Sequence, residues 1–211
     1  MSALQKVTEA VEGGKVKLID DLVQEALDSG VNPEDILNEG MIGAMGKIGM
    51  KFQNNEIFVP ELLISAKTMK KGIEKLRPYL ASDAVGKKGK FIIGTVKGDL
   101  HDIGKNLVAL MVESSGFEII DLGVDVAPEK FVEAVRDNPD CKLVGLSALL
   151  TTTMGALKDT ITALEEAGLR DQVKIMVGGA PVTQAFADEI GADAYSPNAG
   201  SAASKVNELI A

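Results

Sequence analysis

Phe91-Ile92-Ile93-Gly94-Thr95-Val96-Lys97-Gly98-Asp99-Leu100-His101-Asp102-Ile103-Gly104-Lys105-Asn106 joins an apolar run with strand character to a segment that opens a helix. It holds His101, the only histidine of the 211 residues. An imidazole just past the end of a parallel strand is well placed to ligate a metal or cofactor, because ligands of open α/β sheets lie beyond the carboxyl ends of the strands. A single histidine is more often a surface group or a satisfied core group, so the weight falls on what surrounds it.

Downstream, short apolar runs alternate with helical segments. The pattern predicts strands over 91–96, 117–122, 143–147, 174–177 and 192–195, and helices near 104–115, 127–137, 154–167, 182–189 and 199–210. Repeats of this kind imply a parallel sheet with helices on both faces, because right-handed crossovers allow little else.

Upstream the period is helical from 1 to 77. Ile19, Leu22, Val23, Ala26 and Leu27 recur at three- and four-residue steps, with Asp20, Asp21, Gln24, Glu25 and Asp28 between them. Gly30 supplies a stop, and Asn32-Pro33-Glu34-Asp35 reads as an N-cap, a first-turn proline and two acids that suit the helix dipole. A third helix should run on to about Phe52, and Pro60 opens a fourth along Leu62, Ala66, Met69, Ile73 and Leu76. Four short helices make a bundle. From 78 to 90 the periodicity stops while glycine and charge rise, as in a linker. The expected division is a helical domain over 1–89 and an α/β domain over 90–211.

Composition narrows the partners. A net charge of −9 opposes nucleic acid, and the densest basic cluster, Lys87-Lys88-Gly89-Lys90, reads as part of the solvated linker. The one cysteine, Cys141, excludes an internal disulfide, suits a reducing compartment and has the setting of a core residue. No run approaches the ~18–20 apolar residues of a membrane span. Residues 1–14 are polar and lack the apolar core of a signal peptide, so the expectation is a cytoplasmic protein with neither membrane nor nucleic acid as a partner. With no Trp, two Tyr and six Phe, a large organic cofactor would be held by backbone, small residues and aliphatics.

Three blocks share the predicted strand ends. Asp99-x-His101-x-x-Gly104 follows the first strand, Ser147-x-Leu149 ends the third, and Gly178-Gly179 ends the fourth. Together, in this order, they resemble the cobalamin-binding motif of methionine synthase and the corrinoid methyltransferase proteins. The resemblance covers the whole chain, since that family carries a four-helix cap ahead of a flavodoxin-like, Rossmann-like domain with a five-stranded parallel sheet. It is closest to the small corrinoid proteins that serve methyltransferases acting on methylamines, betaines or methoxylated compounds.

The resemblance implies roles. His101 would be the lower axial ligand of cobalt, replacing the cofactor's dimethylbenzimidazole in a base-off, His-on state. Asp99 would accept a hydrogen bond from the other ring nitrogen, and Thr153 would extend the relay where methionine synthase has serine. Asp102 would face the same loop. Gly98, Leu100, Ile103 and Gly104 complete the cofactor-binding loop. Ser147, Leu149, Gly178 and Gly179 would line a slot for the displaced nucleotide tail, with Thr151 and Thr152 offering hydroxyls and Tyr195 to Ala199 closing the far side. Phe52, Val59 and Leu62 match cap positions that press on the corrin, with Phe58 and Pro60 in the matching Phe-x-Pro segment, and 86–89 is a candidate hinge.

The implied function is methyl carriage on cobalamin or a related corrinoid, passing between cob(I)alamin and methylcobalamin. One partner methyltransferase would load the methyl group, a second would remove it, and a reductive activase would restore the cofactor. Nothing in the chain reads as a pocket for a methyl donor, so the expectation is a shuttle subunit rather than a complete enzyme. Three other readings stand beside it. A cobalamin-dependent sensor would add an output module, and the small subunit of an adenosylcobalamin mutase shares the histidine motif but does not usually carry this bundle. A dinucleotide or flavin protein would need a G-x-G-x-x-G spacing that Gly94, Gly98 and Gly104 do not supply.

Overall fold

The side chain of Ser2 accepts from the amide of Gln5 while that of Gln5 accepts from the amide of Ser2, a reciprocal cap that opens helix α1 (Ala3–Glu12). Helix α2 (Ile19–Asp28) follows, with Asp20 and Asp21 in its first turn. These elements come from a computed structural model that describes residues 1–80 and 88–210. They fall into two compact units, Met1–Lys87 with Ser114–Gly116, and Lys88–Glu113 with Phe117–Ala211.

In the first unit the expected third helix is one run of three parts: α3 (Pro33–Asp35), a π-helical stretch (Ile36–Ile42) and α4 (Gly43–Gln53). The side chain of Asn32 caps it, as the sequence indicates. The wider π turns keep Ile36, Leu37, Gly40 and Met41 buried, and a Cβ on Gly40 would lie 3.0 Å from Leu4 Cδ1. Helix α5 (Val59–Leu76) begins one residue before Pro60, which therefore sits in its first turn. Its Gly72 admits Met41 and Ile19, whose side chains would stand 2.8 and 2.9 Å from an added Cβ. Of the expected linker, residues 81–87 lie outside the described residues.

The second unit alternates strand and helix. Strands β1 (Lys90–Thr95), β2 (Glu118–Asp121), β3 (Leu143–Ser147), β4 (Lys174–Gly178) and β5 (Ala194–Ser196) form a parallel sheet in the order β2-β1-β3-β4-β5. Helices α6 (Ile103–Glu113), α7 (Pro128–Asp137), α8 (Met154–Glu166), α9 (Gln184–Glu189) and α10 (Ala199–Leu209) connect the strands and complete the unit. On one face Ile92, Val144 and Ile175 pack with Phe131 of α7, Leu157 of α8 and Ala187 of α9. On the other, Phe91, Ile93, Leu143 and Met176 meet Val112 of α6 and Val206 of α10. The alternation along each strand is what a sheet covered on both faces requires.

The expected α/β architecture holds, with small shifts at the strand ends. β5 starts two residues late because the Asp193 carboxylate takes the amide of Ile175 at 2.8 Å, and regular pairing begins beyond it. The order reverses between β1 and β3, so the loops leaving those strands diverge and open a crevice at their carboxyl ends. His101 lies on the first of these loops.

Candidate functional site

Past β1 the chain turns at Val96–Asp99, closed by the Asp99 amide donating to the Val96 carbonyl at 3.1 Å. Gly98 takes φ +82° there, which glycine adopts without cost; an added Cβ would find only ordinary contact with Thr153. The turn drives the Asp99 side chain inward, where it is fully buried.

That carboxylate is saturated. Oδ1 accepts from the His101 amide at 3.1 Å and from His101 Nδ1 at 2.7 Å. Oδ2 accepts from the amides of Leu149 and Leu150 at 2.7 and 3.2 Å and from the Thr153 hydroxyl at 2.7 Å. Burial opposes ionisation, but the bonds from Thr153, Leu149 and His101 outweigh it and hold the carboxyl well below the usual carboxylate range. A carboxylate only accepts, so Nδ1 of His101 carries the ring proton and Nε2 keeps the lone pair that a metal would take. The imidazole side chain is 50% exposed. Asp99 thus joins the two diverging loops and presents a defined tautomer at the crevice between them.

The same loops expose apolar side chains: Leu100 (72%), Ile103 (78%), Leu149 and Leu150. A Cβ on Gly104, beside Ile103, would meet nothing within 4 Å. An oriented imidazole amid exposed apolar groups and open backbone fits a large flat cofactor that takes one axial nitrogen. Among the described residues no cluster of three or more His, Cys, Asp or Glu could hold a metal ion.

Across the sheet, Ser147 is the register partner of Gly178, and the Ala148 amide donates to the Gly178 carbonyl at 3.1 Å. Gly179 sits at φ +128°, and a Cβ there would collide with the Ala148 carbonyl, so only glycine fits the passage from β4. Gly178 lies close to β5, where an added Cβ would be 3.0 Å from the Ser196 carbonyl oxygen. Thr151 and Thr152 are exposed on a single turn ahead of α8, and Thr153 behind them is buried. Ala199 is buried as the first residue of α10, whose N-terminus Asn198 caps.

Asp102 is exposed, and its carboxylate and carbonyl accept from Asn106 at 3.1 and 2.7 Å, because Asp102 immediately precedes α6 and satisfies its first turn. Phe52, Val59 and Leu62 belong to the helical unit. Leu62 is fully buried there, Phe52 half-buried, and Val59 exposed beside Phe58.

Several contributors escape the motif. Thr95, the buried last residue of β1, donates its hydroxyl to the His101 carbonyl at 2.8 Å. Lys105, buried in the first turn of α6, pairs with Asp121 at the end of β2 at 2.5 Å. Asp125 accepts from the Gly98 amide at 2.7 Å and returns its own amide to the Asp99 carbonyl at 2.9 Å. A hydroxyl ending an otherwise apolar strand and a Gly-x-Asp following the second strand were the available signals.

Known proteins match the chain along almost its whole length. Two family models, each described as a B12 binding domain, match residues 89–204 and 3–77. The chain is 42% identical over 207 residues to the dimethylamine corrinoid protein 3 of Methanosarcina acetivorans, covering 98% of this chain and 96% of that one. A cobalamin-binding protein from Desulfitobacterium hafniense superposes with a TM-score of 0.83 at 30% identity, over 99% of this chain and 98% of that one. A chain of the methanol:cobalamin methyltransferase complex MtaBC from Methanosarcina barkeri gives 0.86 at 28% identity, over 99% and 79%.

Proposed function

Because the chain belongs to the B12-binding corrinoid proteins of methylamine and methanol methyltransferase systems, we propose that it is the methyl-carrying subunit passed between two enzymes. The observation that carries the reading is His101, its Nδ1 proton fixed on the buried Asp99 carboxylate and its ring half-exposed among apolar groups.

The cofactor is a corrinoid. When bound, it supplies a cobalt that accepts a methyl group from one partner and yields it to another. The chain's own residues bind, orient and shield it. His101 would offer Nε2 to the cobalt, in the base-off, His-on state that the family resemblance implies. Asp99 fixes the tautomer and orientation of the ring, as hydrogen-bonded carboxylates do for metal-ligating histidines, and Thr153 with the Leu149 amide keeps Asp99 ionised.

Gly98, Leu100, Asp102, Ile103 and Gly104 form the near wall of the site. Ser147, Leu149, Thr151, Thr152, Gly178, Gly179 and Ala199 take the nucleotide tail, a role supported by the close backbone approach at Gly179. Phe52 and Val59, from a helical domain over 1–89, would shield the cofactor from water, with Leu62 buried in the core of that domain. The partners are a loading methyltransferase, a methyl-accepting methyltransferase and a reductive activase. A complex between a corrinoid chain and its methyltransferase is the arrangement named for the MtaBC relative.

The test is reconstitution with hydroxocobalamin, desalting, and reduction to the Co(II) state for electron paramagnetic resonance. Wild type labelled with 15N-histidine should retain corrinoid and show the doublet coupling of a 15N ligand in place of the 14N triplet of dimethylbenzimidazole, and His101→Ala should lose the doublet. Failure of folded wild type to retain corrinoid overturns the reading.

A further inference from the structure

We propose that Asp125 is a positioning residue for His101, gripping the backbone on both sides of Asp99 from the end of β2. The proposal rests on the reading of His101 as an axial ligand.

The loop that carries His101 is held at several points, and most lead back to one strand end. Leu122 donates its amide to the Ile93 carbonyl, Thr95 donates to Gly123, and Val126 donates to Thr95, so the chain beyond β2 stays stitched to the end of β1. Asp125 stands out from this stitch. Its carboxylate accepts from the Gly98 amide at 2.7 Å, ahead of Asp99, and its amide donates to the carbonyl of Asp99 itself at 2.9 Å. The Asp99 α-carbon is thereby fixed from outside, while its carboxylate is fixed from inside by Leu149, Leu150 and Thr153. Beyond His101, the Lys105–Asp121 pair ties the first turn of α6 to the same strand end. Asp99 in turn orients the imidazole, so Asp125 acts on the ring through Asp99.

The backbone of Asp125 indicates that the side chain matters. It lies at φ +52°, left-handed geometry in which glycine carries no penalty and aspartate and asparagine carry less than most. A residue needed only for the turn would be best as glycine. Glycine would relieve the backbone and still lose the acceptor for Gly98, whereas asparagine keeps an acceptor and tolerates the same φ. The two substitutions therefore separate a turn from a grip.

His101 is the chain's only histidine, so its ring gives an unambiguous nitrogen NMR signal after histidine labelling. In the protein without corrinoid, wild type should hold the Nδ1–H tautomer. Asp125→Gly should lower the tautomer ratio about tenfold, the size of one lost hydrogen bond to a charged acceptor, with no fall in melting temperature. Asp125→Asn should restore most of it. After loading with hydroxocobalamin and reduction to Co(II), the fraction with coupling to the 15N-labelled histidine should follow the same order. Nitrogen coupling in wild type with an unchanged Asp125→Gly protein in both spectra overturns the proposal alone. Retained corrinoid without coupling to the 15N-labelled histidine in wild type overturns the ligand reading, and the proposal with it.

Discussion

Asp99 concentrates more of the site's energetics than His101 does. Five hydrogen bonds converge on a carboxylate that is fully out of water, and each partner belongs to one of the two loops that diverge from β1 and β3. Asp99→Asn keeps the size but replaces an acceptor oxygen with an amide that must face either the Leu149 and Thr153 donors or the imidazole. Its cost should be about 3 kcal/mol of folding stability, read as a lowered urea midpoint, because hydrogen bonds to a charge are lost and a buried donor faces a donor. Cys141 makes a contrasting case. Its Sγ donates to the Lys90 and Leu143 carbonyls, and burial pushes the thiol above its ordinary 9.0. Folding therefore favours the neutral thiol. Its contribution is complete below the ordinary pKa and is lost as pH rises through the raised one. Alkylation by iodoacetamide at pH 8 should be negligible for the folded protein and rapid in urea, and the stability difference from Cys141→Ala should shrink above pH ~9.

At the scale of elements, glycines decide where helices can press on the sheet. Gly94 in β1 faces the ring of Phe131 from α7, where an added Cβ would lie 2.8 Å from Cζ, and Gly145 in β3 faces Phe91 in the same manner. Gly94→Ala should cost about 1–3 kcal/mol through overpacking, and trimming the opposing ring with Phe131→Leu should make the pair less than additive in a denaturation cycle. The strand-end motif was legible element by element because its residues are contiguous: Asp99-x-His101-x-x-Gly104 needs only a strand before it and a helix after. The π-helical stretch at Ile36–Ile42 was not legible, because it keeps the apolar spacing of an ordinary helix. The Asp102–Asn106 bond is a local one, made one helical turn along the chain into α6.

At the scale of the molecule, a ligand that binds only the folded chain must stabilise it. Hydroxocobalamin at a hundred times its dissociation constant should add ~2.7 kcal/mol, so the melting temperature of wild type should climb with corrinoid concentration. The rise should be smaller for His101→Ala, and differential scanning calorimetry reads both. No helix among the described residues is long and apolar enough to cross a membrane.

What the sequence determined by itself was the order of elements, the helical-then-alternating plan and the histidine loop at a strand end, because periodicity, caps and turn residues act over a few neighbours. Only the tertiary structure decided which distant groups complete the site. Thr153 and Leu149 reach Asp99 from across the sheet, Thr95 holds the His101 carbonyl, and Asp125 clasps the loop from β2. Those contacts depend on the order β2-β1-β3, which brings segments remote in the chain to one crevice, and on burial, which turns a common carboxylate into the fixed partner of a single imidazole.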